Sequence, residues 1–177
     1  MNYRPLVSTI IPTYKRANTL SRAIDSVLNQ TYSKVEVIVV DDNNDNSSYR
    51  RDVEDIINKY CDDPRVIYIK HKNNMNGSAA RNTGIKEAKG TYICFLDDDN
   101  YFYPDKIEKQ INYLLKHSEY KAAYCGLEYE DKKITPNREG DLTYEQLMGS
   151  NIIDTNMIII EKAIALEIGG WDERLKR

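Results

Sequence analysis

Apolar residues in this chain come as short solid runs, separated by stretches where they recur every three or four positions. Leu6-Val7-Ser8-Thr9-Ile10-Ile11 is a β-branched run stopped by Pro12 and reads as a buried strand. Leu20, Ala23, Ile24, Val27 and Leu28 then share one helical face, with Asn18 placed to cap it. Residues 35–40 form a second strand that runs into the polar loop Asp41-Asp42-Asn43-Asn44-Asp45-Asn46. Val53, Ile56, Ile57 and Tyr60 mark a second helix, and residues 66–69 a third strand followed by a loop over 70–77. A short helix is expected over 78–88. Gly90 turns the chain into a fourth strand, 92–96, which meets Asp97-Asp98-Asp99. Pro104 suits the first position of a helix that carries Ile107, Ile111, Leu114 and Leu115. Past Ala122 the pattern loosens. Strands are expected over 122–127 and 156–160, a charged connection over 132–141, and helices over 144–148 and 161–168.

The early strands are apolar without alternation, so both of their faces must be covered. That predicts an α/β fold with a mostly parallel central sheet and helices on both faces. No repeat or linker divides the chain, and residues 1–177 are expected to form one domain. In such sheets ligands sit beyond the carboxyl ends of the strands. The sequence puts Pro12-Thr13-Tyr14-Lys15-Arg16, Asp41-Asp42 and Asp97-Asp98-Asp99 there.

Composition narrows the classes. With 41% hydrophobic and 30% charged residues among 177, the chain is too apolar for disorder. The balance of 25 basic and 28 acidic residues argues against a nucleic-acid partner. No run approaches the ~18 apolar residues of a membrane span, and the first residues lack signal-peptide character. Cys61, Cys94 and Cys125 have no metal-ligand spacing, which predicts reduced thiols and a cytoplasmic setting. His71 and His117 belong to no nucleophilic arrangement, and there is no glycine-rich phosphate loop followed by Lys-Ser or Lys-Thr.

Three adjacent carboxylates at a strand end repel one another and call for a counter-charge. Mg²⁺ or Mn²⁺ meets that need, since it takes carboxylate and phosphate oxygens together; a solvated acidic turn before a helix is the plain alternative. An exposed carboxylate at Asp41-Asp42 can accept from a base edge or a ribose hydroxyl, or merely close an Asx turn. Tyr14 can lie against a base or pack on the sheet edge. Arg81, in the small-residue segment Ser78-Ala79-Ala80-Arg81-Asn82-Thr83-Gly84, can grip a diphosphate or simply decorate an Ala-rich helix.

These segments, in this order, resemble family 2 glycosyltransferases of the GT-A fold. The resemblance runs from residue 7 to 174 and also takes in Ser26-Val27-Leu28-Asn29-Gln30-Thr31-Tyr32 and Gly169-Gly170-Trp171-Asp172-Glu173. It implies an inverting, metal-assisted transfer of a sugar from a nucleotide-diphosphate donor, expected to be UDP-linked, to a carbohydrate or lipid-linked glycan hydroxyl. Tyr14 and Asp41 would meet the base, with Pro12, Thr13 and Arg16 lining the same end. Asp98 would meet the ribose, Asp99 with Asp97 would hold Mn²⁺ or Mg²⁺, and Arg81 would approach the donor phosphates. Residues 1–120 would form the donor half and 121–177 the start of the acceptor half. The carboxylate base of such enzymes follows the Gly-Gly-aromatic-Asp-Glu segment, so it is expected beyond Arg177, and neither Asp172 nor Glu173 takes that role. Two other readings remain: a metal-dependent nucleotidyltransferase, and a non-catalytic nucleotide-binding module.

Overall fold

The computed structural model describes residues 3–129, 134–135, 140–149 and 152–175. The solid apolar runs become β1 (Val7–Thr13), β2 (Val35–Asp41), β3 (Val66–Lys70) and β4 (Tyr92–Phe95), all parallel. Between them lie α1 (Leu20–Leu28), α2 (Ser48–Ile57) and α3 (Gly77–Glu87), followed by α4 (Lys106–Lys116). Every residue of β2 is buried, as expected of a strand covered on both sides. Val7 and Ile11 of β1, Val37 and Val39 of β2 and Cys94 of β4 share one core with α1, α2 and α4. Ile10, Ile38, Val40, Ile93 and Phe95 point the other way, into a second core with Ala80 and Ile85 of α3.

The later residues add β5 (Ala122–Ala123), β6 (Leu127–Glu128), β7 (Ile134–Thr135), α5 (Tyr144–Gly149), β8 (Ile159–Glu161) and α6 (Lys162–Glu167). The main sheet runs β3-β2-β1-β4-β8-β5, with β8 antiparallel to both β4 and β5; β6 and β7 pair separately. Among the described residues no helix is long and apolar enough to cross a membrane.

Local differences from the sequence pattern have physical causes. Thr19, not Asn18, precedes α1, and no side chain caps it. Helix α4 starts at Lys106, because Pro104 lies in the preceding turn, where its carbonyl accepts from Thr31 N at 2.9 Å. The single strand expected over 122–127 divides into β5 and β6, which belong to different sheets. The strand expected from Asn156 begins at Ile159, because Thr155–Met157 forms a 3-10 turn that swings Asn156 inward. Much of the connection over 132–141 lies outside the described residues; its part 134–135 is β7.

Helix α3 crosses β1 at very close range. A Cβ on Gly84 would stand 2.9 Å from Ile10 Cγ1, closer still to Cγ2, and Ile10 is wholly buried and β-branched. Gly84→Ala is expected to lower stability by about 1–2 kcal/mol in denaturant unfolding. Overpacking of ~1–3 kcal/mol outweighs the ~1 kcal/mol gain in helix propensity; a stabilised variant would show that the contact is loose.

Candidate functional site

The strand order reverses between β1 and β4, and this switch point is where sheets of this kind leave a crevice. Thr13, the last residue of β1, donates its hydroxyl to Asp98 Oδ2 at 2.8 Å beside that switch point. Arg16 reaches Asp98 Oδ1 at 3.4 Å and pairs with the Asp99 carboxylate, while Arg22 donates to the Asp99 carbonyl. Lys15 adopts a left-handed φ of 57° between them, its amide donating to Asn43 Oδ1 at 2.9 Å. Its ammonium lies 4.8 Å from the centre of the Tyr14 ring, which is 40% exposed. Pro12 completes this strand end in register with Val40.

Asp98 is only 5% exposed. Burial pushes its carboxyl up to about 6, and Asp99 and Asp97 add repulsion, against the Thr13 bond and Arg16, which favour the charged form. A carboxyl raised in the folded state supports stability below the unfolded value of 3.8 and loses that support as pH rises through about 6. The difference is worth at most about 3 kcal/mol. Asp98→Asn is therefore expected to raise the thermal midpoint above pH 7 and leave it nearly unchanged at pH 4. Parallel melting curves for the two proteins across that range would refute this.

The three adjacent carboxylates diverge. Asp97 accepts from Arg81 Nη2 at 2.6 Å and Asn156 Nδ2 at 3.2 Å, and its own amide donates to Asn156 Oδ1 at 2.7 Å. Only Asp99 stays open, 44% exposed, with the half-exposed Arg16 as its partner. Among the described residues no three acidic, histidine or cysteine side chains converge on a cation position. Positive charge reaches the triplet as Arg16 and Arg81 instead, and Arg81 keeps a buried Nε with no partner.

Asp41, expected to present an exposed carboxylate, is wholly buried. Its Oδ1 accepts from Asn43 N and Nδ2 at 2.9 and 2.8 Å, and its Oδ2 from the Tyr68 hydroxyl at 2.6 Å, with Arg50 Nε 3.4 Å away. Burial and the bond to Asp41 push the Tyr68 hydroxyl far above its usual value. Arg50 is itself 3% exposed; one Nη donates to the carbonyls of Asn43 and His71, while among the described residues Nη1 has no hydrogen-bond partner and Nε has only its ion-pair contact with Asp41. Asp42 serves the next loop. Its carboxylate takes Met75 N at 2.8 Å, Asn76 N at 3.0 Å and Asn74 Nδ2 at 2.7 Å, with His71 Nδ1 at 2.8 Å. His71 Nε2 lies 2.9 Å from Thr83 Oγ1, tying that loop to α3.

The expected strand-end residues thus gather at one edge of the sheet, while Asp41 lies beneath it. Arg50, Tyr68, Asp42's loop contacts and Asn156 escaped the sequence reading. An arginine in the first turn of α2 looks like any solvated helix residue, and Asn156 sits 59 residues from Asp97 in a region without periodicity. Two surface hollows of about 660 and 590 Å³, beside Tyr60–Arg65 and beside Tyr3, Arg4 and Tyr32, include none of these groups.

The sequence profile described as "Glycosyl transferase family 2" matches residues 8–166. An uncharacterised glycosyltransferase of Rickettsia prowazekii is 38% identical over 186 residues, covering 98% of this chain and 56% of that protein. The Escherichia coli UDP-Glc:alpha-D-GlcNAc-diphosphoundecaprenol beta-1,3-glucosyltransferase WfaP is 40% identical over 109 residues, 62% of this chain and 41% of its own. Among solved structures, the mannosyltransferase PcManGT of Pyrobaculum calidifontis, in complex with GDP-Man and Mn²⁺, superposes with a TM-score of 0.74 at 18% identity. That superposition covers 98% of this chain and 49% of the mannosyltransferase, so the fold is the shared property. The chain spans about half the length of the relatives it matches. It belongs to glycosyl transferase family 2.

Proposed function

We propose that the strand-end crevice binds a nucleoside-diphosphate sugar, with UDP as the nucleotide, and that the protein to which this chain belongs transfers the sugar to a carbohydrate or lipid-linked glycan hydroxyl with inversion. The observation that carries this is the Thr13–Asp98 contact at the switch point, flanked by an open carboxylate at Asp99 and by the Arg81 guanidinium beside Asp97. A carboxylate beside a guanidinium is the donor set a metal-bound diphosphate needs. The named substrates of the Escherichia coli relative, UDP-Glc and a lipid diphosphate glycan, support the donor and acceptor classes. They also favour a reaction at the cytoplasmic membrane face.

Each residue then has a task. Tyr14 stacks on the base, and Asp41, buried beneath the strand end, braces that end through Asn43 and Tyr68. β1 runs through Pro12, which was expected to stop it, and ends at Thr13, so that Thr13 and the Asp98 carboxylate face the ribose. Asp99 fits a divalent cation, Mn²⁺ or Mg²⁺, because its carboxylate is solvent-facing and its partner among the described side chains is the half-exposed Arg16; Asp97 is drawn toward Arg81. That cation would supply Lewis-acid stabilisation of the departing diphosphate. Arg16 and Arg81 add positive charge around the same leaving group, favouring the transition state over the ground state. No carboxylate of this chain is given the part of general base: Asp172 accepts from Arg174, which holds its carboxyl below the usual range, and Glu173 accepts from Asn82. Residues 1–120 make the donor half on this reading, within a single domain.

Calorimetric titration with UDP, GDP and UTP, each with and without Mn²⁺, tests this. Metal-strengthened UDP binding is expected. Binding of the triphosphate alone would favour nucleotidyl transfer, and no binding of any nucleotide would overturn the assignment.

A further inference from the structure

Two segments singled out in the sequence, Arg81-Asn82-Thr83 and Gly169-Gly170-Trp171-Asp172-Glu173, meet in the fold through one side chain. Asn82 is 8% exposed on α3. Its Oδ1 accepts from Trp171 N at 2.8 Å, and its Nδ2 donates to Trp171 O at 2.8 Å and to Glu173 Oε1 at 2.8 Å. The amide thus pairs with both backbone groups of one residue, as a neighbouring strand would. Asn76, which caps α3, donates to Glu173 O at 3.1 Å from the same side. Gly170 makes this approach possible. Its φ is +70°, and a Cβ there would crowd Asn82 Oδ1 and stand 3.2 Å from Asn82 Cγ.

The clamp fixes an indole. The Trp171 ring meets Phe95 edge to face at 5.5 Å and lies 5.2 Å from the Arg81 guanidinium carbon. Arg81 is therefore held between the indole and Asp97, its Nε unpartnered. Facing this unit from other elements are Asp97 and Asn156 at the end of β4 and beside β8, and Glu173 from the clamped segment itself.

We propose that Asn82 is a positioning residue: by gripping the Trp171 backbone it sets the indole, and through the indole it aims Arg81 at the β-phosphate of the donor. The clamp acts on the diphosphate and leaves the nucleoside end untouched. This rests on the donor-site reading in one respect only, the identity of the ligand that Arg81 meets.

Trp171 is the only tryptophan in the sequence, so its emission reports on the clamp directly. In the metal-supplemented chain, Asn82→Ala is expected to expose the indole to acrylamide quenching with an unchanged far-ultraviolet spectrum. It should weaken UDP binding about tenfold, the scale of one lost charge-assisted contact, while UMP binds as before. Gly170→Ala releases the clamp from the opposite side without altering α3, and should reproduce both effects even if Asn82→Ala fails to fold. Arg81→Gln should remove the UDP preference and make Asn82→Ala silent in that background. Unchanged quenching in both clamp variants, or equal losses for UMP and UDP, would overturn the proposal. If the parent binds neither nucleotide, the donor-site reading fails, and quenching alone decides whether the clamp sets the indole.

Discussion

Asp42→Ala is expected to cost about 3–4 kcal/mol and to lower the thermal midpoint by roughly 10 °C. The carboxylate is 3% exposed and takes two backbone amides, Met75 and Asn76, together with Asn74 and His71. Alanine leaves those donors without acceptors in a place water reaches poorly, and the cost of unpaired donors exceeds the modest net worth of each bond. The damage would not stay local. Asn76 has a left-handed φ of 81° and caps α3 through Ala79 N at 3.1 Å, so losing Asp42 loosens the start of the helix that carries Arg81. Asp42→Asn keeps one acceptor oxygen and should lose less than half as much. Chemical denaturation of the three proteins checks the order. A loss under 1 kcal/mol for alanine would mean that water replaces the carboxylate easily.

Asp99→Asn is expected to abolish the metal-dependent part of UDP binding. On the donor-site reading the effect is on the order of a hundredfold in Mn²⁺, because removing a direct ligand should cost at least what second-sphere changes do. Binding in the presence of a chelator should stay as it was. The fold should be indifferent, since Asp99 is 44% exposed and its partner Arg16 is half-exposed. Isothermal titration with Mn²⁺ and with chelator separates the two terms, and an unchanged Mn²⁺ enhancement would move the cation elsewhere.

The sheet was legible because its strands announce themselves. Val35, Val37, Ile38, Val39 and Val40 are all buried, and a short β-branched run of that kind favours a strand covered on both faces. The strand-end polar clusters followed from the same rule. What escaped depends on contacts between distant residues. Asn156 bonds to Asp97 from a turn with no periodic signal, and Tyr68 and Arg50 enclose Asp41 from different elements. Nothing near Asp41 in the sequence states that it will be buried. The antiparallel β8, only three residues long, starts three positions later than its apolar run suggests and ends one later, because a short apolar run does not fix where pairing starts.

The reversal of strand order between β1 and β4 also governs when the crevice can exist. Thr13 and Asp98 are 85 residues apart, and Asn82 and Trp171 are 89 apart. The contacts joining β1, β2 and β3 can form from the first 70 residues, but neither wall of the crevice closes until β4 docks on the far side of β1. Any partly folded form lacking β4 is therefore blind to ligand, and a nucleotide bound at the crevice should slow unfolding without speeding the early steps of folding.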